Sequence, residues 1–455
     1  MLFLRSDEYC FQKGRGFMPK ITFIGAGSTV FAKNVLGDCM MTEVLSRSEI
    51  ALYDIDPKRL EESKLLVEAM NKNCNENKAV IKAYCGVEQR KEALRGANFV
   101  VNAIQVGGYE PCTVIDFEIP KKYGLRQTIG DTLGIGGIFR GLRTIYILKG
   151  IAEDIQAVCP NAWFLNYTNP MAILSGFMQR YTGVKTIGLC HSVQVCAQDL
   201  LKKLEIETAG HSELIAGINH MAWLLKIKDQ DGKDLYPLIR EKALAKNAEG
   251  KHDDMVRFEY IRRLGYYCTE SSEHNAEYNP FFIKAKAPEL IEKFNIPLDE
   301  YPRRCIRQIE NWEKQRNEIY QSGKIEHTRS KEYASRIMEA IVTDKPYKIG
   351  GNVLNHGLIT NLPKEACVEV PCLVDASGIN PVVVGDLPVQ LAAMNQTNIN
   401  PQLLTIEAAV TGRKEHVYQA AMLEPHTAAE LTLDEITAMC DELLKAHQAA
   451  GHPCL

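Results

Sequence analysis

Ile21-Thr22-Phe23-Ile24-Gly25-Ala26-Gly27-Ser28 is the stretch that decides the fold of this 455-residue chain. An apolar run enters glycines and then a helical segment, the order in which a buried parallel strand feeds a tight turn and a crossover helix. Glycines at 25 and 27 let the backbone approach a pyrophosphate, whose charge rests on the helix N-terminus that begins at Ser28. Val30 stands where the usual GxGxxG pattern has its third glycine, so an ordinary strand–helix turn is the competing reading. The second strand favours the nucleotide. It ends Tyr53-Asp54-Ile55-Asp56, and an acid at 54 accepts hydrogen bonds from ribose hydroxyls while repelling a 2′-phosphate, which selects NAD over NADP. Asp56, just before Pro57, is the better placed cap for the following helix.

From residue 20 to about 204, strand and helix alternate. Helical patterns cover 28–41, 57–73 and 138–158, and short apolar runs cover 97–104, 163–167 and 184–190. This alternation predicts an α/β fold, a Rossmann-type doubly wound parallel sheet. After His211 the rhythm changes to consecutive strands at 213–218 and 221–228, then helices such as 331–342 and 434–449, which predicts a mixed α+β C-terminal domain. The expected division is an aperiodic N-terminal extension over 1–17, an NAD-binding domain over 18–204, and a domain over 205–455 for substrate, metal and oligomer contacts. No linker separates the last two, so a shared site is expected, and the oligomer expected is a homodimer or homotetramer.

Composition excludes several classes. The formal charge of −4 comes from interspersed acids and bases without a basic stripe, which argues against nucleic acid and anionic membrane as partners. No run approaches the roughly 18–20 apolar residues of a membrane span, and no signal peptide is visible, so a cytoplasmic location is expected. Fourteen scattered cysteines without a CxxC ladder predict reduced thiols.

The chemistry concentrates past strand ends. Cys190-His191-Ser192-Val193 and Asn219-His220 each follow an apolar run and deliver soft or borderline metal ligands, Cys190 and His220. Two ligands leave coordination positions for substrate oxygens, whereas a buried thiol and a core histidine are the plain alternatives. Asn102 ends another strand at the cofactor edge, and the loop Gly130-Asp131-Thr132-Leu133-Gly134-Ile135-Gly136-Gly137 lies over the same edge, with Asp131 as a catalytic candidate. Asn169, ahead of Pro170, either contacts sugar hydroxyls or caps a helix. The segment 265–278 packs titratable groups densely. Tyr267, His274 and Tyr278 are its proton-transfer candidates, and Glu270, Glu273 and Glu277 would repel a phosphorylated substrate.

Together these motifs resemble glycoside hydrolase family 4, the NAD- and metal-dependent glycosidases, from about residue 20 to the end. The likeness rests on GAGS (25–28), GDTLGIGGIFRGLR (130–143), NYTNPM (166–171), CHSV (190–193), INH (218–220) and NHGLITNLP (355–363). CHSV is similar to the α-galactosidase branch, where related branches carry CD or CN. The resemblance implies a lactate/malate dehydrogenase-like fold and NAD used catalytically, held by Gly25, Gly27, Ser28, Asp54 and Asn102. It further implies Mn²⁺ or another divalent cation on Cys190 and His220. The reaction implied is transient oxidation at C3, removal of the C2 proton, elimination of the aglycone and addition of water. His191 is then the candidate acid, Asn169 and His274 sugar contacts, and the base one of Tyr267, His274 and Tyr278, with Tyr267 carried forward. The substrate expected is a melibiose-like α-galactoside. An α-glucosidase, an α-glucuronidase or a metal-assisted sugar or hydroxy-acid dehydrogenase is the alternative.

Overall fold

A computed structural model of the protein describes residues 18–322 and 325–455; the expected extension over 1–17 lies outside them. Strands β1 (Lys20–Ile24), β2 (Glu49–Asp54), β3 (Val80–Cys85), β4 (Phe99–Asn102), β5 (Trp163–Asn166) and β6 (Lys185–Gly188) are parallel and ordered β3-β2-β1-β4-β5-β6. The order reverses between β1 and β4, and the crevice this leaves at their carboxyl ends is where such sheets bind ligands. Helices cover both faces, so the inner strands read as continuous apolar runs. Phe23, Phe99 and Phe164 are fully buried there, and burying each stabilises the core by about 1.5–3 kcal/mol. β3 is the edge strand and alternates exposed with half-buried residues. That diluted pattern is why periodicity does not single it out.

The sheet continues past β6. Strands β7 (His211–Ile218), β8 (Met221–Asp229), β9 (Tyr267–Cys268), β10 (Tyr347–Leu354), β11 (Cys367–Asp375) and β12 (Gly378–Pro381) extend it in the order β6-β10-β11-β7-β8-β9, with β12 on β11. The junction is antiparallel, Asn352 of β10 opposite Gly188 of β6. A single twelve-stranded sheet therefore runs through both sequence regions.

The long helix Gly134–Val158 starts four residues before the expected 138. Its glycine-rich start is a packing device, since a Cβ on Gly136 would lie 2.3 Å from the Gly130 carbonyl oxygen. Only glycine lets the 130–132 loop press against the first helical turn. The thirteen described cysteines are free thiols. No described helix is long and apolar enough to cross a membrane.

Candidate active site

A cleft of about 1140 Å³ opens beside the carboxyl ends of β4, β5 and β6, with Ser28, Gln105, Asn169, His191, His220 and Glu270 among its walls. Ser28, which closes the β1 turn, lines one side of it. Gly25 and Ala26 donate their N–H groups to the Tyr53 carbonyl, each at 3.0 Å. Gly25 has φ +85, and a Cβ there would lie 2.7 Å from the Ala103 oxygen. Gly27 N donates to Asp54 Oδ2 at 2.6 Å, and Asp56 N to Asp54 Oδ1 at 3.0 Å. Asp56 itself accepts from Lys58 and Arg59 N–H groups and caps the helix Pro57–Asn75. Asp54 is thus the acid left at the turn. Ser28 precedes the helix Thr29–Met40 and makes no side-chain cap, so the first N–H groups of that helix are available to an anion. A glycine cradle, a helix start and a carboxylate fit a dinucleotide.

Asn102, expected at the cofactor, is fully buried. Its Nδ2 donates to Asn166 Oδ1 at 2.9 Å and Thr168 Oγ1 at 3.1 Å, tying β4 to β5. The three residues after it, Ala103 to Gln105, form the cleft wall instead.

Cys190 follows β6 and precedes the helix His191–Lys203. Tyr333 brackets it: Cys190 N donates to the Tyr333 hydroxyl at 2.9 Å, and that hydroxyl donates to the Cys190 carbonyl at 3.1 Å. His220 occupies the two-residue turn between β7 and β8, and Glu270 follows β9 closely; both have left-handed backbone, φ 64 and 66. One ligand atom each of Cys190, His220 and Glu270 lie within 4.8 Å of one another, and Asp131, His220 and His274 form a second such group. His220 Nδ1 is 3.1 Å from the Tyr278 hydroxyl, which orients the ring and turns Nε2 to Glu270 Oε2 at 3.3 Å.

Burial holds the His220 imidazole below its ordinary pKa, hence neutral and able to ligate. Glu270 is driven the other way. Burial opposes its charge, but His220, His274 and Arg257 around it and the Ser271 N–H outweigh that and lower its pKa. Burial pushes the Cys190 thiol up, with the Glu369 and Glu270 carboxyls adding to the effect, so a cation is the partner that would draw out the thiolate. Thiolate, imidazole and carboxylate together fit a borderline divalent cation. Glu270 enters the sequence reading only as a repelling charge; its position just past a strand, like Cys190 and His220, is the signal that could have marked it as a ligand.

Of the acids expected to repel a phosphorylated sugar, Glu270 alone lines the cleft. Glu273 pairs with Arg304, and Glu277 accepts from the N–H groups of Thr128 and Gly130, anchoring the loop that carries Asp131. Tyr267 is not brought to the cleft. Its hydroxyl donates to the buried Asp254 at 2.5 Å, and its ring lies 4.4 Å from the Arg257 guanidinium, inside the packing between β8 and the helix Met255–Leu264. Both residues of the two-residue strand β9, Tyr267 and Cys268, are buried in the core.

His274 and Asn169 do line the cleft, and Asn169 Oδ1 is buried without a partner among the described residues. Tyr301, absent from the sequence reading, lines it too and accepts from Arg140 at 3.1 Å. His191 faces the cleft with its Nε2 bonded to Glu332. Burial works against the imidazolium, but the Glu332 bond and charge outweigh it and raise the His191 pKa.

Residues 20–206 match the family 4 glycosyl hydrolases, and residues 215–427 match the family 4 glycosyl hydrolase C-terminal domain. The chain is 64% identical over 430 residues to an alpha-galactosidase of Bacillus subtilis (strain 168), covering 94% of this chain and 98% of that one. Its fold is similar to the crystal structure of a 6-phospho-alpha-glucosidase from gut microorganisms in complex with NAD and glucose-6-phosphate, with a TM-score of 0.76 at 20% identity over 95% of this chain and 99% of that one. It is also similar to a malate dehydrogenase of Cryptosporidium parvum, with a TM-score of 0.52 at 14% identity over 87% of this chain and 100% of that one. The Rossmann-type, dehydrogenase-like architecture expected from the sequence is the one observed.

Proposed function

The chain belongs to family 4 of the glycosyl hydrolases, and on that premise we propose that it is an NAD- and Mn²⁺-dependent α-galactosidase acting on melibiose-like α-galactosides. The observation that carries the reading is the convergence of Cys190, His220 and Glu270 within 4.8 Å in a cleft that Ser28, the residue closing the β1 turn, also lines. The Bacillus subtilis alpha-galactosidase at 64% identity supports galactose as the sugar.

When bound, NAD supplies reversible oxidation at C3 and the cation supplies Lewis acidity, which together bring the C2 proton within reach of a side chain. Gly25, Gly27, Ser28 and Asp54 hold the nucleotide; Cys190, His220 and Glu270 hold the cation, with Asp131 within reach of His220. Asn169, through its unpartnered oxygen, orients the sugar hydroxyls. His274 and Tyr301 are the cleft groups able to take the C2 proton, and Tyr278 serves by fixing the His220 ring. His191 protonates the departing oxygen.

The test uses 4-nitrophenyl α-galactoside in deuterium oxide with NAD, Mn²⁺ and a thiol reductant. Expected are NAD-dependent hydrolysis and galactose carrying deuterium at C2. Hydrolysis that persists without NAD, or product without deuterium, rejects the mechanism; faster turnover of the α-glucoside or α-glucuronide rejects the sugar.

A further inference from the structure

We propose that Glu332 is the positioning residue of His191, binding its Nε2 so that Nδ1 delivers the proton to the departing glycosidic oxygen. The proposal rests on the galactosidase reading for the leaving group, though not for the geometry. Glu332 is 7% exposed, and its Oε1 is bonded to His191 Nε2. Its Oε2 has no partner among the described residues.

A buried carboxylate with a single, half-exposed imidazole partner is a poor stabilising device, because desolvation offsets most of what one such pair returns. The surroundings nevertheless hold it firmly. Glu332 N donates to Ser330 Oγ at 3.1 Å, Ser330 donates through N and Oγ to the fully buried Asp38 at 2.9 and 2.5 Å, and His327 Nε2 lies 2.8 Å from the same carboxylate. The next residue, Tyr333, brackets the Cys190 backbone. One segment anchored to the helix Thr29–Met40 thus grips both members of the Cys190-His191 pair. The Tyr167 and Phe31 rings, with centroids 6.2 and 6.5 Å from that of His191, flank the imidazole.

With Nε2 committed to a carboxylate, the ring nitrogen left for chemistry is Nδ1, the arrangement by which carboxylates select a histidine's working atom. In the step itself, the electron pair left at C2 by proton removal forms the C1=C2 bond as the C1–O bond breaks. The oxygen takes the Nδ1 proton, and the neutral imidazole keeps its Nε2–H on Glu332 until water restores the Nδ1 proton.

The experiment compares methyl α-galactoside with 2,4-dinitrophenyl α-galactoside, whose leaving group needs no proton, in Glu332→Gln, Glu332→Ala and His191→Gln. It adds ¹⁵N-histidine NMR of the enzyme loaded with NAD and diamagnetic Mg²⁺, the His191 signals being assigned by their loss in His191→Gln. Expected are a fall in kcat of about 100-fold on the methyl glycoside against no more than about threefold on the dinitrophenyl glycoside, and a displaced His191 Nε2 resonance in both Glu332 variants. Equal losses on the two substrates, or an unmoved resonance, overturn the proposal. Should the wild type cleave neither galactoside, the sugar reading fails by itself and the resonance alone decides the positioning.

Discussion

Replacing Glu270 with glutamine tests the proposed third cation ligand, which the sequence reading names only as a repelling charge. Glutamine keeps the size of the side chain and can still accept from Ser271 N, which lies 3.3 Å from Glu270 Oε1. What disappears is the negative charge facing His220 Nε2 at 3.3 Å and His274 Nδ1 at 3.6 Å. Loss of an outer-shell partner costs roughly 10–100-fold in metal affinity, so loss of a direct anionic ligand should cost at least about 100-fold, or about 2.8 kcal/mol. Protonation of His220 cannot mimic this loss. Burial lowers the His220 pKa and the Glu270 charge opposes that, so removing the charge leaves the imidazole, if anything, more neutral.

The assay is a Mn²⁺ titration at neutral pH under reducing conditions, free ion being read by electron paramagnetic resonance, with Asp131→Asn in parallel and NAD affinity as the control. Glu270→Gln should lose about 100-fold or more, Asp131→Asn less than about tenfold, and NAD binding in the absence of metal should not change. A Glu270→Gln variant that binds Mn²⁺ as the wild type does would refute the assignment. A larger loss in Asp131→Asn would move the cation to the Asp131–His220–His274 group.

Tyr267→Phe removes a buried hydrogen bond to a carboxylate and should cost about 1.5–3 kcal/mol in urea unfolding while C2 deuterium exchange survives; normal stability with lost exchange would return Tyr267 to the chemistry. Gly25→Ala drives a Cβ to 2.7 Å from a backbone oxygen at φ +85. It should weaken NAD more than about tenfold without altering Mn²⁺ affinity, and calorimetric titration of each ligand checks both halves. Burial lowers the His426 pKa to about 4, below the unfolded value of about 6.5. The unfolded chain therefore takes up a proton that the folded chain refuses, and this part of the stability is present above about pH 6.5 and lost towards pH 4. Urea unfolding should find about 2 kcal/mol of this loss by about pH 5, and His426→Gln should show a shallower decline; equal slopes would exclude His426 as the source.

How much was legible follows from the range of each signal. The β1 turn, Asp54 and Cys190 are legible as candidates because each follows an apolar strand, so periodicity puts them at the carboxyl edge of the parallel sheet, whereas His220 follows an apolar strand of the antiparallel β7–β8 hairpin. Glu332 and Tyr333 carry no such mark. They reach Cys190 and His191 across more than 140 positions of chain, from a segment held by Asp38, and no local pattern encodes that approach. Tyr267 misleads for the opposite reason: it lies in a titratable stretch that does line the cleft, but a two-residue strand has too short an alternation for sequence to tell which face it takes. Asn102 is similar, since strand-end asparagines look alike whether they meet a ligand or bind two strands together.

The backbone at Glu270 carries a cost that a pair of variants can measure. Glu270 at φ 66 sits in the left-handed region, where a residue with a Cβ is strained by roughly 1 kcal/mol or more. At an ordinary loop position glycine is the less stable replacement, because it frees the unfolded chain by about 0.4–1 kcal/mol relative to alanine. At 270 the order should invert. Glu270→Ala and Glu270→Gly lose the same carboxylate and the same contacts to His220 and His274, so those terms cancel in the comparison. What remains is the strain that alanine keeps and glycine sheds, set against glycine's entropy. Urea unfolding should then place Glu270→Gly above or level with Glu270→Ala, although both lose the cation. Alanine more stable by about 0.5 kcal/mol or more would show that the strand-end turn relaxes once the charge is gone. The left-handed geometry would then be a consequence of the ligand cluster and not a feature the fold imposes on it.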